Sequence, residues 1–116
     1  MAAPAQTQLG RTVTVWIVTD KGGEIKAEPG YFEVSKGNYE QVIWACAQNH
    51  QHRREEKPCF LVNFETNGSP FYESQFSSDV PFSGLVRRDV LPGPKKYKYT
   101  VRVGDKTLDP DGGVKP

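Results

Sequence analysis

The sequence predicts an all-β fold: an antiparallel Greek-key β-sandwich of about seven strands. Short runs of alternating apolar and polar residues recur along the chain, and turn signals separate them roughly every eight to twelve residues. Aromatic residues make up 11% of the 116 residues, beside 11 Gly and 9 Pro, which is typical of short strands joined by turns. No stretch shows sustained helical periodicity. A partly open barrel of the oligonucleotide-binding type is the structural alternative.

The first half of the chain contains two strong strand patterns with a weaker region between them. Residues 11–20 alternate as one strand. Residues 24–37 are two short extended pieces broken at Pro29-Gly30, which indicates an edge strand or a crossing between sheets. Residues 42–47 are apolar on both faces, and a strand of that kind is expected to be central.

The second half alternates most cleanly near its end. Residues 59–65 read as a strand, residues 66–84 as a turn cluster followed by a long irregular crossover, and residues 85–90 as a short strand. Residues 96–103 alternate without a break, and a terminal strand is expected around Leu108. The inward positions of these strands form the predicted core: Val13, Val15, Ile17, Val42, Trp44, Phe60, Val62, Phe64, Tyr99, Val101 and Val103.

The length and charge of the chain limit the kinds of function it can have. A chain of 116 residues fits one domain, and we expect a flexible tail at residues 1–10 and the sandwich at residues 11–116. The formal charge of +1 provides no global field to attract nucleic acid or a membrane surface. No apolar run approaches the roughly 18 residues of a membrane-spanning helix. The N-terminus lacks the basic and apolar regions of a secretory signal, so the cytoplasm is the expected location.

Six short motifs, spread over about the last two thirds of the chain, resemble small bacterial β-sandwich proteins of the cupredoxin-like or immunoglobulin-like type. The motifs are Lys36-Gly37, Val42-x-Trp44-x-Cys46, Phe60-x-Val62-x-Phe64, Ser69-Pro70-Phe71, Tyr97-x-Tyr99-x-Val101 and Leu108-Asp109-Pro110. The resemblance implies two packed sheets with an inward Trp on a central strand, and it implies no activity. The chain departs from true cupredoxins, because no His precedes Cys46 and the one Met is Met1. A type 1 copper site is therefore not expected.

Both cysteines and both histidines lie close together in the sequence. Cys46, His50, His52 and Cys59 are the ligand types of a tetrahedral zinc site, although their spacing matches none of the usual zinc motifs. We favour a simpler interpretation, in which Cys46 is buried beside Trp44 and the histidines are solvated in a polar loop. A metal site and a disulfide are the alternatives.

The faces of the two strands argue against the disulfide. If the strand that contains Phe60 is regular from its first residue, Cys59 points outward, whereas Cys46 points inward with Trp44. Side chains on opposite faces cannot be bridged, although a bulge near Pro58 would change which face Cys59 occupies. We therefore expect two free thiols.

Two other clusters have ordinary explanations. Asp105, Asp109 and Asp111 resemble part of a calcium loop, but the later ligands are missing, and Asp-Pro and Asp-Gly are common turn dipeptides. Lys96, Lys98 and Arg102 share one face of a strand whose tyrosines lie on the other. A platform for single-stranded nucleic acid needs basic and stacking groups side by side, so no nucleic-acid partner is expected.

The sequence as a whole predicts a non-enzymatic binding or structural module that contains no cofactor. No nucleophile, base and orienting residue occur together in a recognisable motif, and no glycine-rich loop opens a helix. An exposed sheet edge or the loops at one end would bind a protein partner or a second copy of the chain. The alternative function is metal binding, of zinc or copper, through Cys46, His50, His52 and Cys59.

Overall fold

The computed structural model describes residues 11–19, 22–47, 59–64 and 68–116. These residues form nine strands in two facing sheets, so the predicted all-β sandwich is confirmed. Within the same residues no helix is long and apolar enough to cross a membrane. The strands are β1 (Thr12–Thr19), β2 (Ile25–Glu28), β3 (Tyr31–Ser35), β4 (Gln41–Cys46), β5 (Leu61–Phe64), β6 (Gln75–Ser77), β7 (Tyr97–Val103), β8 (Lys106–Leu108) and β9 (Asp111–Lys115).

The smaller sheet contains three strands in the order β2-β1-β4. β1 and β2 are antiparallel, but β1 and β4 are parallel, with Thr12 opposite Gln41 and Ile17 opposite Cys46. This parallel pair differs from the purely antiparallel sandwich that the sequence predicts. Its cause is a crossover, because the chain leaves this sheet at Pro29, forms β3 in the larger sheet and then returns as β4. Pro29 therefore lies at a crossing between sheets, as predicted.

The larger sheet has the order β3-β9-β7-β5-β6, and β8 also pairs with β7. β3 and β9 are the second parallel pair. β8 and β9 pair with β7 in one continuous register, from Lys106 opposite Val103 to Gly112 opposite Tyr97. Pro110 lies between them and has no N–H to donate, so it interrupts a single arm of a hairpin. The run from Asp109 to Gly112 is thus extended chain and not the predicted turn.

The prediction of a short strand at residues 85–90 is wrong. Val86 makes an isolated bridge to Phe71, and the residues that follow turn back on themselves. The amide of Val90 donates to the carbonyl of Arg87 at 3.1 Å, which is the hydrogen bond of a β-turn. The turn ends the extended conformation before a strand can form.

The core between the sheets is mainly aromatic. Trp44 stacks on Phe76 with ring centroids 5.1 Å apart, and Phe64 stacks on Tyr99 at 5.0 Å. Phe32 on β3 makes an edge contact with Trp44 at 6.2 Å, so rings from both sheets meet. Contacts of this kind add to the hydrophobic stabilisation of burial.

In the strands whose sequence alternates clearly, the buried residues are the ones that the apolar–polar alternation predicts. Nine of the eleven predicted core residues are buried, whereas Val13 and Val103 are partly buried and pack against the cluster. Tyr97 on β7 is also buried and was not among those eleven, and three further buried rings lie outside the clear alternation: Phe32, Phe71 and Phe76. They come from a short edge strand and from residues 66–84, where the sequence pattern is weak or irregular.

Two glycines on β9 lie against aromatic side chains of β3. A Cβ at Gly112 would overlap the buried ring of Phe32 on the inner face of the sheet. A Cβ at Gly113 would overlap the hydroxyl of Tyr31, whose side chain is 42% exposed on the outer face. Because the two strands pair residue by residue, these glycines make room for the rings on both faces of the sheet.

Candidate functional site

Cys46 and Cys59 form a disulfide, so the expectation of two free thiols is wrong. Their Cα atoms are 6.6 Å apart, within the range that a disulfide spans. The prediction failed because β5 begins at Leu61, two residues after Cys59. Cys59 and Phe60 are both buried, which shows that the alternation of β5 does not extend back to Cys59.

The disulfide occupies both sulfurs of the candidate metal site. His50 and His52 lie outside the described residues, so the geometry of the four candidate ligands is not defined. Among the residues that are described, no group of three or more His, Cys, Asp or Glu side chains could hold a metal ion. The zinc-type arrangement therefore requires reduction of the Cys46–Cys59 bond first.

On the outer face of the larger sheet, Asp109 and Asp111 each interact with a side chain of β7. Asp109 accepts a hydrogen bond from Thr100 Oγ1 at 3.0 Å, and Asp111 lies 3.5 Å from Lys98 Nζ. Lys98 and Arg102 are exposed on this face, whereas Tyr99 is buried on the other. The basic and aromatic side chains of β7 are therefore on opposite faces of the strand.

Tyr99 carries a buried polar group in the core. Burial raises the pKa of its phenol to about 12, the neighbouring Trp44 indole lowers it in part, and the charge of Asp111 raises it further. Trp44 Nε1 and Tyr99 Oη are both buried without a partner in hydrogen-bond geometry among the described residues. The indole is thus near enough to affect the phenol, although the two polar atoms are not aligned as donor and acceptor.

The outer edge of β4 is covered by residues 81–83. The amide of Trp44 donates to the carbonyl of Pro81 at 3.1 Å, and the amide of Ser83 donates to the carbonyl of Val42 at 2.8 Å. Ser83 Oγ also accepts the amide of Val42 at 2.7 Å. Because these bonds use the residues on both sides of Phe82, the N–H and C=O of Phe82 point away from β4.

Residues 75–83 form a hairpin that opens after one pair. Ser77 and Val80 exchange two backbone hydrogen bonds of 3.2 and 3.0 Å around a two-residue turn. In a regular hairpin the next hydrogen-bonded pair would be Gln75 and Phe82. Among the described residues that pair is not formed, because β6 stays in the larger sheet with β5 while residues 81–83 follow β4 in the smaller sheet.

A groove lies where this hairpin opens. We call it the β6 groove; it encloses about 520 Å³. Phe76 is buried beneath it, and three apolar side chains along it are unusually exposed: Leu61 at 43%, Val80 at 62% and Phe82 at 54%. The described residues that line the groove are Leu61, Glu73, Gln75, Phe76, Ser77, Val80, Phe82, Ser83 and Gly84. The groove is therefore largely apolar, and beside it lie backbone groups of Gln75 and Phe82 that no other described residue pairs with.

The sequence did not predict this site. The aromatic residues of the segment are unevenly spaced and Pro81 interrupts it, so the pattern indicated an irregular crossover. A weak signal was present, because Phe76, Val80 and Phe82 alternate with polar residues or proline on both sides of Ser78-Asp79. That arrangement fits a hairpin with a two-residue turn, but it does not show that the two arms join different sheets.

Comparison with known proteins gives no family assignment. No protein-family model matches the chain, and no curated protein matches it. The resemblance to cupredoxin-like and immunoglobulin-like proteins stays a prediction, and function must be inferred from the geometry of the described residues.

Proposed function

We propose that this protein is a non-enzymatic binding module that takes an extended polypeptide segment into the β6 groove by strand addition. One observation carries the proposal: beside an apolar groove, the backbone N–H and C=O groups of Gln75 and Phe82 have no backbone partner among the described residues. In strand addition, backbone hydrogen bonds supply affinity and pockets for alternate side chains supply specificity. The β6 groove offers backbone groups and an apolar surface beside them.

The hydrogen bonds between β5 and β6 support the same mode of binding. The amide of Phe64 donates to the carbonyl of Ser74 at 2.8 Å, and the amide of Ser78 donates to the carbonyl of Phe60 at 3.3 Å. Because bonded pairs alternate along an antiparallel ladder, the N–H and C=O of Gln75 point away from β5. An extended segment that lies along β6 would pair with them.

The other sheet edges are less available for strand addition. Residues 81–83 cover β4, and β2 lies beside β8, where Lys106 Nζ is 3.6 Å from Glu24. At the end of β3, both the amide and the carbonyl of Ser35 bond to Glu40. Tyr31 and Glu33 leave a free stretch of β3 that is only a few residues long. The β6 groove is therefore the best-supported binding edge.

The disulfide supports an oxidising compartment, in place of the predicted cytoplasm. Disulfides persist in secreted and periplasmic proteins, whereas cytosolic thiols are kept reduced. The binding experiment is accordingly designed for the oxidised protein.

Selection of linear peptides tests the proposal. A library of random peptides displayed on phage is selected on the oxidised protein, and synthetic copies are titrated by isothermal calorimetry. The amides of Gln75 and Phe82 should exchange with solvent more slowly in the complex. Phe82→Ala should weaken binding at least about tenfold, as expected for an anchor in a pocket.

Leu91→Ala is the matched control, because Leu91 is 79% exposed and does not line the groove. This variant should bind like the wild type. If no peptide is selected, or if the selected peptides tolerate Phe82→Ala, the groove is not a segment-binding site. If the protein instead dimerises and Phe82→Ala separates the subunits in sedimentation velocity, the bound segment comes from a second copy.

A further inference from the structure

We infer that the bound segment carries a lysine or arginine beside Glu73. This inference rests on the proposed function. Glu73 is the one ionisable side chain among the described residues that line the β6 groove, and the others are apolar, amide, hydroxyl or glycine residues. An extended apolar segment would therefore meet a single charge in the groove, and that charge is negative.

The position of Glu73 is fixed by its backbone. Ser69 Oγ donates to the carbonyl of Glu73 at 2.7 Å and accepts the amide of Phe71 at 3.0 Å. Ser69 itself is buried, so this loop is fastened to the body of the protein. The side chain of Glu73 is exposed and has no ion-pair partner in the described part of the chain.

The place of Glu73 beside β6 determines where the cation lies in the segment. Glu73 precedes Gln75 by two residues, and the chain bends at Ser74 between them. Glu73 therefore lies just beyond the first residue of β6. The cation should accordingly lie at the end of the bound segment, beyond the residue that pairs with Gln75.

The charge of the groove selects the partner by complementarity. A cross-strand pair of opposite charge changes affinity by up to about fivefold, and a like-charge pair opposes binding. Lysine and glutamate at the position beside Glu73 should therefore differ by roughly tenfold in affinity at low ionic strength. The difference should shrink in high salt, because the side chains are exposed.

Three synthetic peptides test the inference. They share the sequence of a selected binder and carry Lys, Gln or Glu at the position beside Glu73, and each is titrated at 50 mM and 500 mM salt. The wild type should prefer Lys, Glu73→Gln should show no preference, and Glu73→Lys should prefer Glu. Asp79→Asn is the control, because Asp79 is an exposed acid of the adjacent turn that does not line the groove.

The outcomes separate this inference from the proposed function. If all three peptides bind equally and Phe82→Ala still weakens them, the charge inference is wrong and the segment-binding site stands. If Asp79→Asn abolishes the preference and Glu73→Gln does not, the inference is also wrong. If Phe82→Ala has no effect on any peptide, both the site and the charge inference fail.

Discussion

Replacing Gly112 with alanine tests the closest approach of one strand to the aromatic core. A Cβ at this position would overlap three ring carbons of Phe32, all within 2.5 Å. Phe32 is fully buried, and four other rings surround it with centroids 5.7 to 6.5 Å away: Trp44, Phe64, Phe71 and Tyr99. Its ring has no free space to enter. Overpacking costs about 1–3 kcal/mol, and removal of a buried Phe side chain about 3–5 kcal/mol, so we expect Gly112→Ala to destabilise the protein by about 3 kcal/mol.

Gly113→Ala is the matched control on the same strand. The added Cβ would meet the hydroxyl of Tyr31, but this side chain is 42% exposed and can turn into solvent. Replacing glycine in an extended conformation also lowers the entropy of the unfolded chain. We expect a change within about 1 kcal/mol. Urea denaturation of the oxidised proteins, followed by tryptophan fluorescence, measures both variants.

The two variants should differ by about 2 kcal/mol, which corresponds to roughly 10 °C in melting temperature for a domain of this size. In a Phe32→Leu background, Gly112→Ala should cost less, because the smaller side chain can move aside. Equal costs for the two alanine variants, or a cost below about 1 kcal/mol for Gly112→Ala, would refute the packing explanation.

Three other predictions follow from the core and the disulfide. The unfolded, unreduced protein should show no free thiol, and two titrating thiols would contradict the disulfide. Replacing Cys46 and Cys59 together with alanine should lower the free energy of unfolding, measured by urea denaturation, by about 3 kcal/mol. The phenol of Tyr99 has a pKa of about 12 in the folded protein and about 10 in the unfolded chain, so between these values only the unfolded chain loses the proton. As pH rises from 10 to 12, the free energy of unfolding of the wild type should therefore fall by about 2–3 kcal/mol relative to that of Tyr99→Phe. Identical pH dependence of the two proteins would refute this. Ser83→Ala should cost about 1–3 kcal/mol in the same denaturation assay, because the buried amide of Val42 loses its acceptor, and a neutral substitution would argue against that contact.

The sequence predicted those features that depend on local alternation. Val15, Ile17 and Trp44 lie in regular strands, where every second residue faces the same side, and all three are buried. The sandwich follows from the same alternation together with the frequent turns. A short strand such as β6, with one buried residue, has too little pattern to be recognised.

Features that depend on how distant segments meet could not be predicted. The parallel pairing of β1 with β4 results from a crossover, and the residue pattern of a strand does not specify the direction of its neighbour. The disulfide depended on whether β5 begins at Cys59 or at Leu61, and strand ends are the least certain part of a sequence-based prediction. The β6 groove arises because two arms of one hairpin join different sheets, which neither arm encodes alone.

The position of the disulfide has a consequence for the integrity of the molecule. Cys46 ends the last strand of the smaller sheet, and Cys59 directly precedes the strands that make up most of the larger one. A protease that cuts once anywhere between them yields two pieces that remain one covalent molecule until the bond is reduced. The first piece holds β1 to β4 and the second holds β5 to β9, so the nicked protein keeps both halves of its sandwich together.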